Sequence, residues 1–373
     1  MRLLEITNDF PPALGGIENF TYSLVRRWER DDVVVLTRLM PGSDSFDREL
    51  PFEVVREPVG TLMPTPALLR RARDIIRSHS IDVVHFASSF PLPLMGPALR
   101  RACDLPFAVS LHGGEFILPA SMPALGGRVA AALRRAGLLL PNSGYVADAV
   151  ARFVGDDPPL EIVTPGVDPE MFSPDPSPMD LPEAAGGGPV IVSVCRLVVR
   201  KGPGTLLRAL PRVLRRHPDA RTLIVGGGPD LTRLRRLAAS LGLTGIVFTG
   251  PVAWSDVPRY YRAATLFAHP ARERFGGRET EGFGMVYLEA ASSSVPVVGG
   301  DVGGARDAVD DGRTGYLVDG RSSFATAEAI LTLLDDPQRA AAMGARGRAR
   351  VMDQFTWESV AQRFQEAMTK HLS

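Results

Sequence analysis

Residues 3–7, Leu3-Leu4-Glu5-Ile6-Thr7, form an apolar run that breaks at Pro11-Pro12-Ala13-Leu14-Gly15-Gly16 and resumes as a helix-periodic stretch over 17–29. A buried strand, a glycine turn and a helix in that order open an α/β domain. The alternation continues with strand-like runs at 32–37, 81–86, 107–111 and 138–141 and helical stretches at 66–78, 91–101 and 128–136. These strand runs are continuously apolar rather than alternating, as parallel strands covered on both faces should be. The pattern then stops at Ser173-Pro174-Asp175-Pro176-Ser177-Pro178 and Ala184-Ala185-Gly186-Gly187-Gly188-Pro189, a linker composition. A second series follows, with strands at 190–194, 222–225, 246–249, 266–269 and 295–298 separated by helices at 204–216, 231–241, 257–263 and 284–292. Stretches 325–334, 337–352 and 357–371 read as closing helices. The expected fold class is therefore α/β, with two Rossmann-like, doubly wound domains, 1–172 and 190–352. Such sheets bind ligands at the carboxyl ends of their strands, so two of them facing across a cleft would put strand-to-helix loops at the site.

Composition bounds the function. The 373 residues are 45% hydrophobic and 23% charged, enough apolar content to exclude disorder and, at roughly 150 residues each, enough chain for about two domains. No apolar run nears the roughly 20 residues of a membrane span. Met1-Arg2-Leu3-Leu4 leads into a strand rather than a signal peptide, so the expected location is cytoplasmic. Cys103 and Cys195 have neither disulfide nor metal-ligand spacing, and no metal site is expected. Zero net charge argues against a nucleic-acid partner. The charge is uneven, however: up to Phe172 there are 17 Arg against 21 acidic residues, and beyond it 25 basic against 21 acidic. A basic second half suits an anionic ligand. Only two lysines occur, Lys201 and Lys370.

Four loops carry the candidate chemistry. Glu281-Gly282-Phe283-Gly284-Met285-Val286-Tyr287-Leu288-Glu289 enters a helix, where glycines leave backbone N–H groups open to a phosphate. Its two carboxylates, two turns apart, suit hydroxyl pairs, one on a sugar and one on a ribose. Two such glutamates alone are more often a cap and a salt-bridge partner; the glycines and the strand-to-helix junction favour a ligand. Arg196 and Lys201, in Cys195-Arg196-Leu197-Val198-Val199-Arg200-Lys201-Gly202, would converge from one loop on a diphosphate, one as a fork and one as a point charge. A solvated basic loop is the equal alternative from these residues alone. Gly15-Gly16 permits close approach to an anion or a simple tight turn. His112, in His112-Gly113-Gly114-Glu115, follows a strand and is positioned to hydrogen-bond a substrate hydroxyl. His85 and His269 read as structural. Neither Gly15-Gly16 nor Gly226-Gly227-Gly228-Pro229 is a dinucleotide fingerprint, which disfavours a nicotinamide enzyme.

Together with Pro165-Gly166-Val167-Asp168 and Gly15-Gly16-Ile17-Glu18, these motifs resemble family 4 of the glycosyltransferases, retaining enzymes of the GT-B fold. Thr7-Asn8-Asp9-Phe10-Pro11-Pro12 and the loop Pro270-Ala271-Arg272-Glu273-Arg274 leading to Glu281 look closest to actinobacterial mannosyltransferases that use GDP-mannose and phosphatidylinositol mannoside. The resemblance implies an acceptor-binding first domain, a nucleotide-sugar-binding second domain and a final helix, 353–373, that crosses back to the first. It implies that Arg196 and Lys201 hold the diphosphate, Glu289 the ribose, and Glu281 with the Gly282, Phe283 and Gly284 backbone the donor sugar. Gly16 would lie near the phosphates and acceptor, and His112 would contact the donor sugar. The catalytic set is then Glu281, Arg196, Lys201 and His112, with a nucleotide-sugar co-substrate, no other cofactor and no metal requirement. Gly114 departs from the larger residue expected there, which puts the acceptor pocket in question. A lipid-linked acceptor would bring the enzyme into peripheral contact with the inner face of the plasma membrane. Arg-studded helices at 68–73 and 128–135 suit that, as they suit an ordinary solvated face. The alternatives are a UDP-sugar-dependent transferase with a soluble metabolite or glycan as acceptor, a sugar-nucleotide 2-epimerase, and a non-catalytic sugar-nucleotide binder.

Overall fold

In the computed structural model, the described residues are 1–13, 15–28, 32–120, 122–155, 158–175, 187–277 and 279–373. Much of the linker stretch, 176–186, lies outside them, as do Leu14 of the first glycine turn, Glu29 at the end of the first expected helix and Arg278. The chain divides into two compact units, Met1–Pro165 with Trp357–Ser373, and Gly166–Thr356.

In the first unit the strands are β1 (Leu3–Ile6), β2 (Val33–Arg38), β3 (Glu53–Glu57), β4 (Val83–Phe86), β5 (Phe107–Leu111) and β6 (Leu138–Pro141). They form one parallel sheet in the order β3-β2-β1-β4-β5-β6, with Leu3 opposite both Val33 and Val83. The central strands are buried on both faces, which explains their unbroken apolar runs. Helix Pro66–Ser78 starts where Thr65 accepts the Leu68 N–H, and it buries Leu68, Ala72, Ile75 and Ile76, the spacing of one helical face. The C-terminal helix Trp357–Leu372 lays Val360, Ala361, Phe364, Ala367 and Met368 into the same unit. Phe364 meets His85 at 5.1 Å and Trp28 at 5.7 Å, and Trp357 meets Phe20 at 6.2 Å. Burying a ring the size of Phe364 contributes about 2–3 kcal/mol, so truncating it would be the single change most damaging to that docking.

The second unit repeats the plan. Its strands are β7 (Val190–Val194), β8 (Arg221–Val225), β9 (Ile246–Gly250), β10 (Leu266–His269), β11 (Val297–Gly300) and β12 (Gly315–Val318), in the order β12-β11-β10-β7-β8-β9. Numbered within the unit, this is the strand order of the first sheet. Residues 166–172 pack here, with Phe172 against Trp254 at 5.6 Å and Tyr261 at 5.7 Å. Strands β3 and β12 are additions to the sequence reading. Each is an outer strand of its sheet and only partly buried, so neither carries a continuous apolar run. Helices Gly114–Ala120 and Gly144–Val154 were likewise not expected from the sequence.

Candidate active site

At the carboxyl end of β7 the chain turns through Arg196 to Lys201 and enters helix Pro203–Arg216 at Gly202, whose φ is +77°. A Cβ at Gly202 would lie 1.8 Å from the Pro270 carbonyl oxygen, so a side chain there is excluded by close approach as well as by backbone conformation. That approach joins the β7 loop to the β10 loop, reinforced by the Arg272 N–H donating to the Arg200 carbonyl at 2.8 Å. The result places Lys201 Nζ 2.5 Å from Glu281 Oε2, eighty residues away in sequence. Arg200 Nη1 stands 3.7 Å from the same oxygen and donates to the Thr280 carbonyl at 3.1 Å.

Glu281 is buried, and its own carbonyl accepts the Gly304 N–H at 3.1 Å. Burial works against its charge, but the Lys201 ammonium and the His269 imidazole outweigh it and hold the carboxyl well below the usual carboxylate range. His269, the last residue of β10, is fully buried between Phe267 and Tyr287. Its Nε2 is 3.7 Å from Glu281 Oε2, too long for a hydrogen bond, and neither ring nitrogen has a partner. Burial, partly offset by Glu281, lowers its pKa.

The loop then enters helix Met285–Ser292 through Gly284, at φ +92°. Glu289 sits inside this helix, buried, with the Tyr261 hydroxyl donating to Oε2 at 2.7 Å. Desolvation pushes the Glu289 carboxyl up to about 7, with the Tyr261 bond and the Lys201 charge pulling the other way. Phe283 turns into the core, against Phe355 at 6.1 Å, so only its backbone can face a ligand. Arg196 is exposed, and its guanidinium has no partner among the described residues. It lines a cavity of about 410 Å³ with Arg200, Pro229, Asp230, Arg274 and Glu279. The structure thus gathers Arg200, Lys201, Glu281 and His269 directly, with Glu289 on the helix that follows. Arg200, His269 and Tyr261 are the members the sequence reading did not assign. Cys195, whose thiol burial pushes up to about 12, is a core residue.

The first unit holds the other two candidates. Gly16 opens helix Gly16–Val25, and no side chain caps that end. The Glu18 carboxylate lies over Gly15, 2.1 Å from where a Cβ would stand. His112, at the end of β5, donates from Nε2 to the Ala87 carbonyl at 2.8 Å and packs edge-on against Phe20 at 4.9 Å. That bond places a proton on Nε2. His85 lies deeper in the sheet, with Nδ1 2.6 Å from Glu5 Oε2 and Nε2 2.9 Å from Ser110 Oγ.

Two parallel sheets of one topology, with a cation–carboxylate pair at the strand ends of the second, are the architecture of the two-domain GT-B fold. The family described as "Glycosyltransferase Family 4" matches residues 14–171, and "Glycosyl transferases group 1" matches 182–350. The chain belongs to this glycosyltransferase family. It is 38% identical, over 98% of both chains, to the GDP-mannose-dependent alpha-(1-6)-phosphatidylinositol monomannoside mannosyltransferase of Mycolicibacterium smegmatis. It is 36% identical to the GDP-mannose-dependent monoacylated alpha-(1-6)-phosphatidylinositol monomannoside mannosyltransferase of Corynebacterium glutamicum, over 97% of this chain and 96% of that one. In fold it is similar to Anabaena HepE in complex with UDP, with a TM-score of 0.82 at 21% identity over 99% and 100% of the two chains. A second fold likeness is sucrose-phosphate synthase from Thermosynechococcus elongatus, with a TM-score of 0.80 at 22% identity over 99% of each. Among the described residues no group of three or more His, Cys, Asp or Glu side chains is placed to hold a metal ion. No helix among them is long and apolar enough to cross a membrane.

Proposed function

We propose that this chain transfers mannose from GDP-mannose to a hydroxyl of a phosphatidylinositol mannoside, with retention at the anomeric carbon. The observation that carries the reading is the Lys201–Glu281 pair at 2.5 Å, in a chain 36–38% identical over its length to enzymes of that name. Arg196 and Lys201 take the diphosphate, the first through its planar fork and the second as a point charge. Glu281, with the backbone of Gly282, Phe283 and Gly284, takes hydroxyls of the sugar. Glu289 takes the ribose hydroxyls, a role that requires its carboxylate to be ionised. From the first unit, Gly16 serves the phosphates and acceptor and His112 the donor sugar.

The bond from the anomeric carbon to the phosphate oxygen breaks as the acceptor oxygen bonds to that carbon from the same face. The acceptor's proton passes to the departing phosphate, and the electron pair of the broken bond stays on GDP. No protein nucleophile is needed; Arg196 and Lys201 stabilise the charge that develops on the leaving group. No metal is assigned a part. The acceptor being a lipid, the enzyme works at the inner face of the membrane by peripheral contact.

The test is nucleotide release from GDP-mannose, UDP-glucose, UDP-N-acetylglucosamine and ADP-glucose, with and without phosphatidylinositol mannoside. Release from GDP-mannose that rises with the lipid supports the reading. Release only from a UDP-sugar, or indifference to the lipid, overturns the donor or the acceptor respectively.

A further inference from the structure

Outside the residues given roles above, the second unit brings the backbone next to Arg272 and Arg321 against the first turn of helix Pro203–Arg216: the Thr205 hydroxyl donates to the Gly320 carbonyl at 2.8 Å, and a Cβ at Gly320 would lie 2.0 Å from the Ala271 carbonyl oxygen. Arg272 has its N–H tied to the Arg200 carbonyl at 2.8 Å, and the positive charges of Arg208, Arg274, Arg233 and Arg321 act on it. Burial first, and those four like charges after it, push its pKa down. A surface arginine normally turns its donors to water. Arg272 Nε is instead shut off from water and has no hydrogen-bond partner.

The carboxylates nearby do not balance the cluster. Asp230 accepts both Nε and Nη2 of Arg233, at 2.5 and 2.6 Å. Glu279 pairs with Arg274 at 3.1 Å, and Glu273 lies 3.6 Å from Arg321. Arg208 has only the Gly204 carbonyl of its own helix, at 2.9 Å. Three carboxylates thus serve five guanidinium groups. A Cβ at Gly204 would lie 3.2 Å from Arg233 Nη2 and 3.4 Å from Arg208 Nη1, so two forks converge where the helix has no side chain. Gly202 supplies no side-chain cap, which leaves the positive end of a 14-residue helix facing the same place. Asp230 and Arg274 also line the cavity that holds Arg196, so the cluster borders it.

We propose that Arg208, Arg233, Arg272 and Arg321 form a second anion site, taking one phosphate-class group apart from the donor diphosphate. The group would offset the positive charge that the three carboxylates leave unbalanced. A phospholipid headgroup and a free phosphate share this chemistry. The inference does not rest on which sugar nucleotide is the donor.

The experiment compares the parent chain with Arg272→Gln, Arg208→Gln and Arg272→Lys. Inorganic phosphate is titrated at constant ionic strength, with GDP present to fill the donor site, and the thermal unfolding midpoint is followed. Sedimentation with phosphatidylcholine vesicles, with and without phosphatidylinositol, is measured in parallel. Loss of each fork should weaken binding about tenfold, as removal of a charge-assisted hydrogen bond does, with Arg272→Lys intermediate. A phosphate-dependent rise in the midpoint that Arg272→Gln and Arg208→Gln abolish supports the site and identifies a free anion as sufficient. Vesicle binding that needs phosphatidylinositol and falls in the same variants, without a response to phosphate, supports it with a lipid source. Arg208 is exposed, so its variant reads the site even if Arg272→Gln fails to fold. Equal responses in parent and Arg208→Gln overturn the proposal, as does a loss of GDP affinity that runs parallel to the loss of phosphate.

Discussion

Each unit buries one histidine beside one glutamate, and the two pairs differ in completeness. In the first sheet, Glu5, His85 and Ser110 stand on neighbouring strands β1, β4 and β5, and both ring nitrogens of His85 are bonded, at 2.6 and 2.9 Å. In the second, His269 and Glu281 are 3.7 Å apart, neither ring nitrogen is bonded, and Lys201 holds the carboxylate instead. The first is a rung in mid-sheet with both ring nitrogens bonded, although Glu5 Oε1 has no partner. The second sits at strand ends, with donors unspent and a cation within 2.5 Å. Buried polar groups without partners cost stability, so the two unbonded nitrogens of His269 carry a cost that the His85 ring does not.

The sharpest break of this contrast is His85→Ala. It strands the Glu5 carboxylate in the core and removes the ring under Phe364, so it should cost about 3–5 kcal/mol of stability, read by denaturant unfolding. Turnover below the new melting range should persist. Loss of turnover with unchanged stability would reverse the roles of the two pairs. Lys201→Ala and Glu281→Ala should remove about 2–4 kcal/mol of transition-state stabilisation in kcat/KM while circular dichroism shows the fold retained, with Lys201→Ala also losing stability because it strands the Glu281 carboxylate. Wild-type rates with either would dissolve the site assignment.

His269→Phe keeps the packing with Phe267 and Tyr287 and deletes two unsatisfied nitrogens. It should raise stability by about 1–2 kcal/mol and slow donor turnover, a combination that an ordinary core residue would not produce. The smallest effect concerns Glu289. Its carboxyl is pushed up to about 7, so below that pH it carries a proton and accepts fewer ribose hydroxyl bonds. GDP affinity should therefore rise severalfold, roughly half a log unit or more, as pH increases through 7, with proton release on binding seen by calorimetry in buffers of different ionisation enthalpy. Glu289→Gln should flatten that profile. The stability term has its own sign: a raised carboxyl pKa favours the folded state at low pH, and that contribution is lost as pH climbs from 4.5 through 7.

Much of this was legible in one dimension. The buried strands β1, β4, β5, β7 and β10 announce themselves as apolar runs because both of their faces are covered. The outer strands β3 and β12 do not, because a half-exposed strand has no run to show. Glu281 and Glu289 were readable from glycines at a strand-to-helix junction. His269 was not: a histidine ending an apolar strand looks the same in sequence whether its ring is bonded or stranded.

The sequence by itself determined the two α/β series, the placement of the candidate loops at strand ends and the family. Periodicity and glycine positions are local properties, and the covering of a strand dictates its composition. Only the tertiary structure decided that Lys201 reaches Glu281, that Tyr261 holds Glu289, that Phe283 faces the core and that Arg208 and Arg233 converge at Gly204. Those outcomes join residues tens of positions apart, and they depend on close backbone approaches such as Gly202 against Pro270, which set distances no spacing along the chain encodes.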